Sequence, residues 1–259
     1  MRSGIRPEWL IVALLPLLIW FAYAVKTINY NVSSAPVLSL SQADSTKAMI
    51  NATTADTSVY PALFEAAFDT TTRLSDRGQE YHFRIYDAGL LFSHTGKLIV
   101  GDPVTASSAR ALCDTFPTGS FDVELAMVHA GAAELVVMSR VKFSDKPVHA
   151  WSMAYWPGGK PRAVNDSIVN VFTVDGGMAM IADSVSNVHL QLQFDRYMDD
   201  VFMISGRLQN LPGHTLYFDR YTVTSFQTAE GDGRYCAYVG RDAEGKICRL
   251  LIDFGFFNW

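Results

Sequence analysis

Regular alternation of apolar and polar residues is the feature that most constrains the fold of this chain. In FDVELAMV, residues 121–128, every second residue from Phe121 to Met127 is apolar, whereas Asp122 and Glu124 occupy the opposite face. A period of two is that of a half-buried β-strand. Further β-rich runs, separated by Gly, Pro, Asn or Asp, occupy residues 134–143, 148–156, 168–174 and 215–226. The pattern predicts a mainly β, β-rich α+β fold, either an antiparallel sandwich or a partly closed barrel.

Two segments predict short helices beside these strands. YPALFEAAF, residues 60–68, suits a helix because Pro61 is tolerated in a first turn. VHLQLQF, residues 188–194, alternates like a strand, but apolar residues around it also recur at helical spacing: Leu190, Phe194, Tyr197, Met198 and Val201. We favour a helix there, beginning near Asp183 or Ser184, since both residue types cap helices.

The N-terminus carries an uncharged apolar segment, Trp9–Val25, of seventeen residues. A membrane-spanning helix needs about 20 apolar residues, with a lower limit near 17, whereas the apolar region of a signal peptide has about 7–15. The length, together with the bulky Trp20 and Phe21, favours a retained transmembrane helix. The small-x-small pattern at residues 22–24 leaves open the alternative of secretion after cleavage near Ala24.

The charges around this segment predict its orientation. Arg2 and Arg6 precede it and only Lys26 follows closely, so the N-terminus is expected in the cytoplasm and the rest outside the membrane. The predicted organisation is a signal anchor at residues 1–26, a Ser/Thr/Asn-rich linker at 27–58 and a β-rich exported domain at 59–259. The exported part has 18 basic and 25 acidic residues, a net charge of −7. Such an acidic domain is a poor ligand for nucleic acid.

The sequence contains three cysteines, Cys113, Cys236 and Cys248. An odd count leaves at least one without an intrachain partner. If residues 242–245 form a four-residue turn, Cys236 pairs with Leu251 and Cys248 with Val239, on opposite faces of the hairpin. A disulfide needs Cα atoms within about 7 Å, so this register excludes one. We therefore expect buried free thiols.

Residues 231–255, GDGRYCAYVGRDAEGKICRLLIDFG, contain the densest turn chemistry. Gly-Asp-Gly lacks the third glycine of a dinucleotide loop, and a calcium loop starting at Asp232 would need oxygen ligands where Arg234 and Cys236 stand. Residues 240–246, GRDAEGK, are typical of a hairpin turn. The chain also lacks the short zinc-protease, nucleophile-elbow and phosphate-loop motifs. No cofactor is predicted, and the sequence leans against an enzyme.

Four aspartates stand at predicted turns: Asp102, Asp175, Asp183 and Asp232. Each has a local explanation, because Asp before Pro or Gly bonds its own turn and Asp183 can cap a helix. If several converged on one cleft, they could bind a cation or share a proton. They form the candidate site of an alternative function, an envelope hydrolase or metal-binding enzyme.

Four segments in order resemble a bacterial family catalogued as domain of unknown function 4241. They are GLLFSHTGKLIVGDPV (89–104), FPTGSFDVELAMV (116–128), VFTVDGGMAMIAD (171–183) and residues 231–255. The last is the most specific, with Gly231, Asp232, Gly233, Tyr238, Val239, Gly240, Asp242 and Gly245 in place. The resemblance covers roughly Tyr81 to Phe254. It implies a bacterial origin and a compact β-rich domain, and it brings no reaction, cofactor or catalytic residue.

Together these features predict a protein of the bacterial inner membrane, anchored once through residues 9–25, with its domain in the periplasm or outside the cell. The expected function is that of a non-enzymatic protein-binding or immunity-type domain, with a protein partner and no nucleic acid. A purely structural envelope protein is a further alternative. The sequence leaves the oligomeric state open.

Overall fold

The computed structural model describes residues 64–76, 78–164, 166, 169–190, 211–229 and 231–257. The predicted anchor and linker, residues 1–26 and 27–58, lie outside the described residues. Within the described ranges, no helix combines the length and apolar character needed to cross a membrane.

The described residues form a mainly β structure in which every strand pairing is antiparallel. The strands are β1 Arg73–Asp76, β2 Gln79–His82, β3 Arg84–Ser93, β4 Leu98–Gly101, β5 Gly119–Ala130, β6 Ala133–Lys142, β7 Ala150–Met153, β8 Arg162–Ala163, β9 Phe172–Val174, β10 Met178–Asp183, β11 Gly213–Phe218, β12 Tyr221–Gln227, β13 Gly233–Arg241 and β14 Ile247–Asp253. A 3₁₀ turn spans Ala106–Ser108, and residues 64–66 and 184–190 are helical. The mainly β, antiparallel prediction is confirmed.

Two sheets enclose the principal apolar core. One has four strands in the order β11-β12-β10-β4, and the other has the order β3-β5-β6-β14-β13-β7-β8, with β9 also paired to β13. Neither sheet closes into a barrel within the described residues. Side chains from both sheets meet in one core, among them Leu91, Leu125, Ile181, Phe226 and Ile252, each fully buried. The third sheet is the two-stranded β1-β2.

The opposite face of the large sheet carries a second apolar core. On β5, Leu125 belongs to the first core, whereas its neighbour Ala126 belongs to the second, so both faces of this strand are buried. The helical residues 64–66 help to cover this face, and the Phe64 ring lies 4.7 Å from that of Tyr238. The alternation in residues 121–128 predicted only one buried face, because the covering segments come from distant parts of the chain.

Side-chain hydroxyls on β11 bond the edge of β3 to the four-stranded sheet. Thr215 donates a hydrogen bond to the Ala88 carbonyl at 2.6 Å, and the Leu90 amide donates to the Tyr217 hydroxyl at 2.9 Å. Gly89 makes this approach possible, because a Cβ there would lie 2.8 Å from Thr215 Oγ1. The two sheets are therefore joined at this edge by hydrogen bonds as well as by the core.

Two local predictions met different outcomes. The run 215–226 is two strands rather than one, because Asp219 adopts φ +52° and reverses the chain between β11 and β12. The helix predicted near Asp183 is confirmed over residues 184–190, here called α1, and the Asp183 carboxylate accepts a hydrogen bond from the Val185 amide at 3.0 Å. Residues 191–201 of that prediction lie outside the described residues.

The register of the β13–β14 hairpin corrects the predicted cysteine geometry. Cys236 pairs with Asp253 and not with Leu251, since the Asp242 amide bonds the Lys246 carbonyl and the register shifts between Gly240 and Arg241. All three cysteines are free thiols. Cys248 is buried as predicted, whereas Cys113 and Cys236 are only half-buried.

Asp242 fixes the turn of this hairpin. Its Oδ1 accepts hydrogen bonds from the amides of Lys246 at 2.8 Å and Glu244 at 3.1 Å, while Lys146 Nζ lies 3.3 Å from Oδ2. Burial acts to raise the pKa of Asp242, but the amide bonds and the Lys146 ammonium outweigh it and lower that pKa. Gly245, at φ +75°, completes the turn. The interpretation of GRDAEGK as a hairpin turn is confirmed.

Packing against Trp151 explains the glycine in the middle of β13, and it yields a first prediction. A Cβ on Gly240 would lie 3.0 Å from Arg249 Cβ and 3.1 Å from the Trp151 ring. We expect Gly240→Ala to lower the free energy of unfolding by about 1–3 kcal/mol, the usual cost of overpacking, measured by urea denaturation. The matched control is Gly101→Ala, whose new Cβ meets only Ala109 at 3.6 Å. Equal stability of the two variants would contradict this account.

The lowered pKa of Asp242 predicts a pH-dependent contribution to stability. A carboxyl whose folded pKa lies below the ordinary value of about 3.9 stabilises the fold above that value and loses this effect as the pH falls through the folded pKa. We therefore expect Asp242→Asn to be less stable than the parent at pH 6, with a gap that narrows towards pH 3. Asp122→Asn, at an exposed position, serves as the control. A gap for Asp242→Asn that does not change with pH would refute the assignment.

Candidate functional site

Asp102, the first candidate aspartate, lies directly after β4 and is 2% exposed. Its Oδ1 accepts a hydrogen bond from the Val104 amide at 2.6 Å, and its Oδ2 accepts one from the Asp175 amide at 2.7 Å. The carboxylate thus connects the end of β4 to the turn between β9 and β10. Both of its oxygens already accept backbone amides.

Asp232 holds the same turn from another direction. Its Oδ1 accepts a hydrogen bond from the Gly177 amide at 2.8 Å. Asp175, which lies in this turn, has an exposed side chain. The structure therefore brings Asp102, Asp175 and Asp232 to one end of the molecule, around residues 175–177.

Asp183 lies at the other end of β10, five residues and about 17 Å from Met178 at the strand spacing of 3.3 Å per residue. It is fully buried, and its oxygens accept hydrogen bonds from the amides of His94 at 3.0 Å and Thr95 at 2.8 Å, besides that of Val185. The four candidates consequently do not share one cleft. Across the described part of the chain, no group of three or more His, Cys, Asp or Glu side chains is placed to hold a metal ion. A catalytic or cation-binding role for these aspartates stays a prediction.

An open groove lies beside Asp232, between the start of β13 and the end of β14. It encloses about 310 Å³ and is lined by Asp232, Gly233, Arg234, Tyr235, Cys236, Asp253, Phe254 and Gly255. Arg234 and Cys236 share a face of β13 because side chains alternate, and Asp253 joins them as the cross-strand partner of Cys236. The groove is therefore a product of the hairpin register.

The charges in the groove are unevenly neutralised. Arg234 is exposed, and its guanidinium forms neither a hydrogen bond nor an ion pair with any described residue. Asp253 Oδ1 accepts a hydrogen bond from the Gly255 amide at 2.9 Å, and Asp232 is committed through Oδ1 to Gly177. The groove thus offers one unpaired guanidinium between two carboxylates that already have partners.

Cys236 is not poised as a nucleophile. Burial raises the pKa of its thiol; a hydrogen bond with Tyr238 opposes this shift in part, and the nearby negative charge of Asp253 reinforces it. The thiolate is the reactive form of cysteine, so a raised pKa disfavours attack at neutral pH. The groove therefore presents a guanidinium, two carboxylates and a thiol whose protonated form is favoured.

From the sequence, Arg234 and Cys236 are excluded as calcium ligands and Cys236 is expected to be a free thiol, but Asp253 is not singled out. The period of two in residues 233–241 could have placed Arg234 and Cys236 on one face. Asp253 required the true register, which depends on where the hairpin shifts. The strand period therefore indicated Arg234 and Cys236, but not Asp253.

Comparisons with known proteins bear on this arrangement. Curated proteins and solved structures gave no match. The profile of a family described as "Protein of unknown function (DUF4241)" matches residues 91–252, a span from β3 to β14 that includes the four aspartates, Arg234 and Cys236. The resemblance in the sequence is thereby confirmed. Because the match covers more than half of the chain, the chain belongs to the family of proteins of unknown function DUF4241.

Proposed function

We propose that this protein is a membrane-anchored bacterial envelope protein whose β-rich domain binds another protein, in a non-enzymatic or immunity-type role. The observation that carries the proposal is the unpaired Arg234 in the open groove of residues 231–255. A partner segment that presents an acidic side chain would neutralise Arg234, and a basic neighbour would face Asp232 and Asp253. Such charge complementarity gives a protein interface its specificity and a fast association rate.

The form of the groove favours a polypeptide over a small molecule. Sites for small molecules are concave and mostly apolar, and they enclose most of the ligand. This groove is open and carries Asp232, Arg234 and Asp253. A protein segment can cover an open polar surface of this kind, whereas a small ligand would remain largely in water.

The hydrogen bonds of the buried aspartates and the raised pKa of the Cys236 thiol support binding rather than catalysis. The carboxylates of Asp102 and Asp183 each accept at least two backbone amides, which is the role of a structural acceptor. The raised pKa of Cys236 keeps its thiol protonated. The two carboxylates therefore stabilise turns and strand ends, whereas the groove presents the charges of Asp232, Arg234 and Asp253.

The location follows from the sequence around residues 9–25. Seventeen uncharged residues reach the lower limit of about 17 for a spanning helix, and Arg2 and Arg6 favour a cytoplasmic N-terminus. In this proposal the domain lies in the periplasm or outside the cell, with the linker at 27–58 between anchor and domain. The alternative remains release after cleavage near Ala24.

The proposal is tested by site-specific photo-crosslinking of the full chain in bacterial cells. Thr173 is exposed and is the cross-strand partner of Arg234, so a photoreactive residue placed there reports on the groove. We expect a discrete protein adduct at position 173 and none at position 244, which lies at the other end of the hairpin. Arg234→Glu should reduce the adduct at least tenfold.

Arg110→Glu is the matched control for this experiment. Arg110 is exposed and has no ion pair with a described residue, so its reversal changes the net charge equally without touching the groove. The adduct should survive Arg110→Glu. An absent adduct, or one that Arg234→Glu leaves unchanged, would overturn the assignment of the groove as the binding surface.

A further inference from the structure

A second polar cluster, the Tyr221 corner, lies at the opposite end of β10 from the groove. It consists of His94 from the β3–β4 turn, His189 from α1, Arg220 from the β11–β12 turn and Tyr221 at the start of β12. The His189 ring stacks on the Tyr221 ring with centroids 4.1 Å apart and planes 19° apart. His94 meets the same ring edge-on at 5.4 Å, and the Arg220 guanidinium carbon lies 5.4 Å from its centroid. Three side chains that can carry positive charge therefore surround one phenol ring.

Hydrogen bonds hold this corner in place. Arg220 donates from Nε and Nη2 to the Tyr221 hydroxyl, at 3.3 and 3.2 Å. His94 Nε2 lies 2.7 Å from the Arg220 carbonyl oxygen, so a proton on Nε2 is donated to it. The phenol occupies only part of the guanidinium, and Arg220 Nη1 has no partner among the described residues. The Arg220 guanidinium is thus held in a fixed orientation, and its Nη1 donors remain available to a ligand.

No described carboxylate neutralises the corner. Asp183 is the buried acid at this end of β10, and its oxygens are taken by the amides of His94, Thr95 and Val185. Asp219 precedes Arg220 in the turn but forms no ion pair with it.

We propose that the Tyr221 corner binds an oxyanion of the phosphate or sulfate type. Arg220 supplies a planar fork of donors suited to such oxygens, and His94 and His189 supply further donors when they are protonated. Tyr221 orients the guanidinium and stacks against His189. The corner lies at the far end of β10 from Arg234, so its ligand is independent of the protein partner proposed for the groove.

The test is an NMR titration of the full-length chain with sodium sulfate, with sodium chloride keeping the ionic strength constant. We expect the ring signals of His94 and His189 to shift and saturate together. Arg220→Gln should weaken the apparent affinity at least tenfold. Arg110→Gln is the matched control, because Arg110 is also exposed and has no ion pair with a described residue but belongs to neither proposed site, and it should leave the affinity unchanged.

The pH dependence of the sulfate affinity distinguishes a site that contains histidines from a site formed by arginine alone. Sulfate keeps its charge between pH 8 and pH 5.5, whereas a histidine side chain ordinarily gains a proton, and with it a donor and a positive charge, in this range. Binding should therefore tighten as the pH falls across this range. Replacing both histidines by glutamine should remove this dependence while Arg220 retains weak binding.

Two outcomes overturn the proposal: equal shifts with chloride alone, or an affinity that Arg220→Gln does not change. Two further arms identify the source of the oxyanion. Competition by inorganic phosphate alone supports a soluble anion, and competition by phosphatidylglycerol vesicles, but not by phosphatidylcholine vesicles, supports a lipid headgroup. Either result leaves the chemistry of the site as proposed.

Discussion

The fold depends on buried aspartates that accept backbone amides where strands end. Asp102, Asp183 and Asp242 are 2%, 0% and 4% exposed, and the carboxylate of each accepts at least two backbone amides. A buried carboxylate left without donors would be costly, so these bonds determine where the chain turns. They place the β9–β10 turn, the start of α1 and the β13–β14 hairpin, which in turn position both proposed sites.

The two sites differ because charge is distributed unevenly around this framework. The groove has Arg234 flanked by Asp232 and Asp253, which suits a partner of mixed charge. The Tyr221 corner gathers positive charge around one ring, with Asp183 already occupied, which suits an oxyanion. The DUF4241 match spans the Tyr221 corner and the β13 side of the groove, ends just before Asp253, and assigns no activity to either site. Both proposed sites therefore depend on arginine side chains, Arg234 and Arg220, whose N–H donors are not all bonded by described residues.

Local patterns predicted much of this architecture from sequence. The alternation in residues 121–128, the turn in 240–246 and the helix that begins after Asp183 all follow from period and capping chemistry. The break at Asp219 was missed, because strand-like residues flank an Asp-Arg pair that lacks glycine. The pairing of Cys236 with Asp253 was also missed, since one register shift moves every cross-strand contact. The separation of Asp183 from the other aspartates required the sheet order, which no local pattern contains.

Urea denaturation of Asp183→Asn, compared with Asp175→Asn, tests the central claim that the buried aspartates are structural acceptors. Only one of the two terminal atoms of asparagine accepts a hydrogen bond, so its NH₂ group would face either the amide of Val185 or the amides of His94 and Thr95. The account predicts that Asp183→Asn loses at least about 1.5–3 kcal/mol of the free energy of unfolding, the value of a hydrogen bond to a charged group. Asp175→Asn, at an exposed position, should stay within about 0.5 kcal/mol of the parent. An Asp183→Asn variant as stable as the parent would contradict the account.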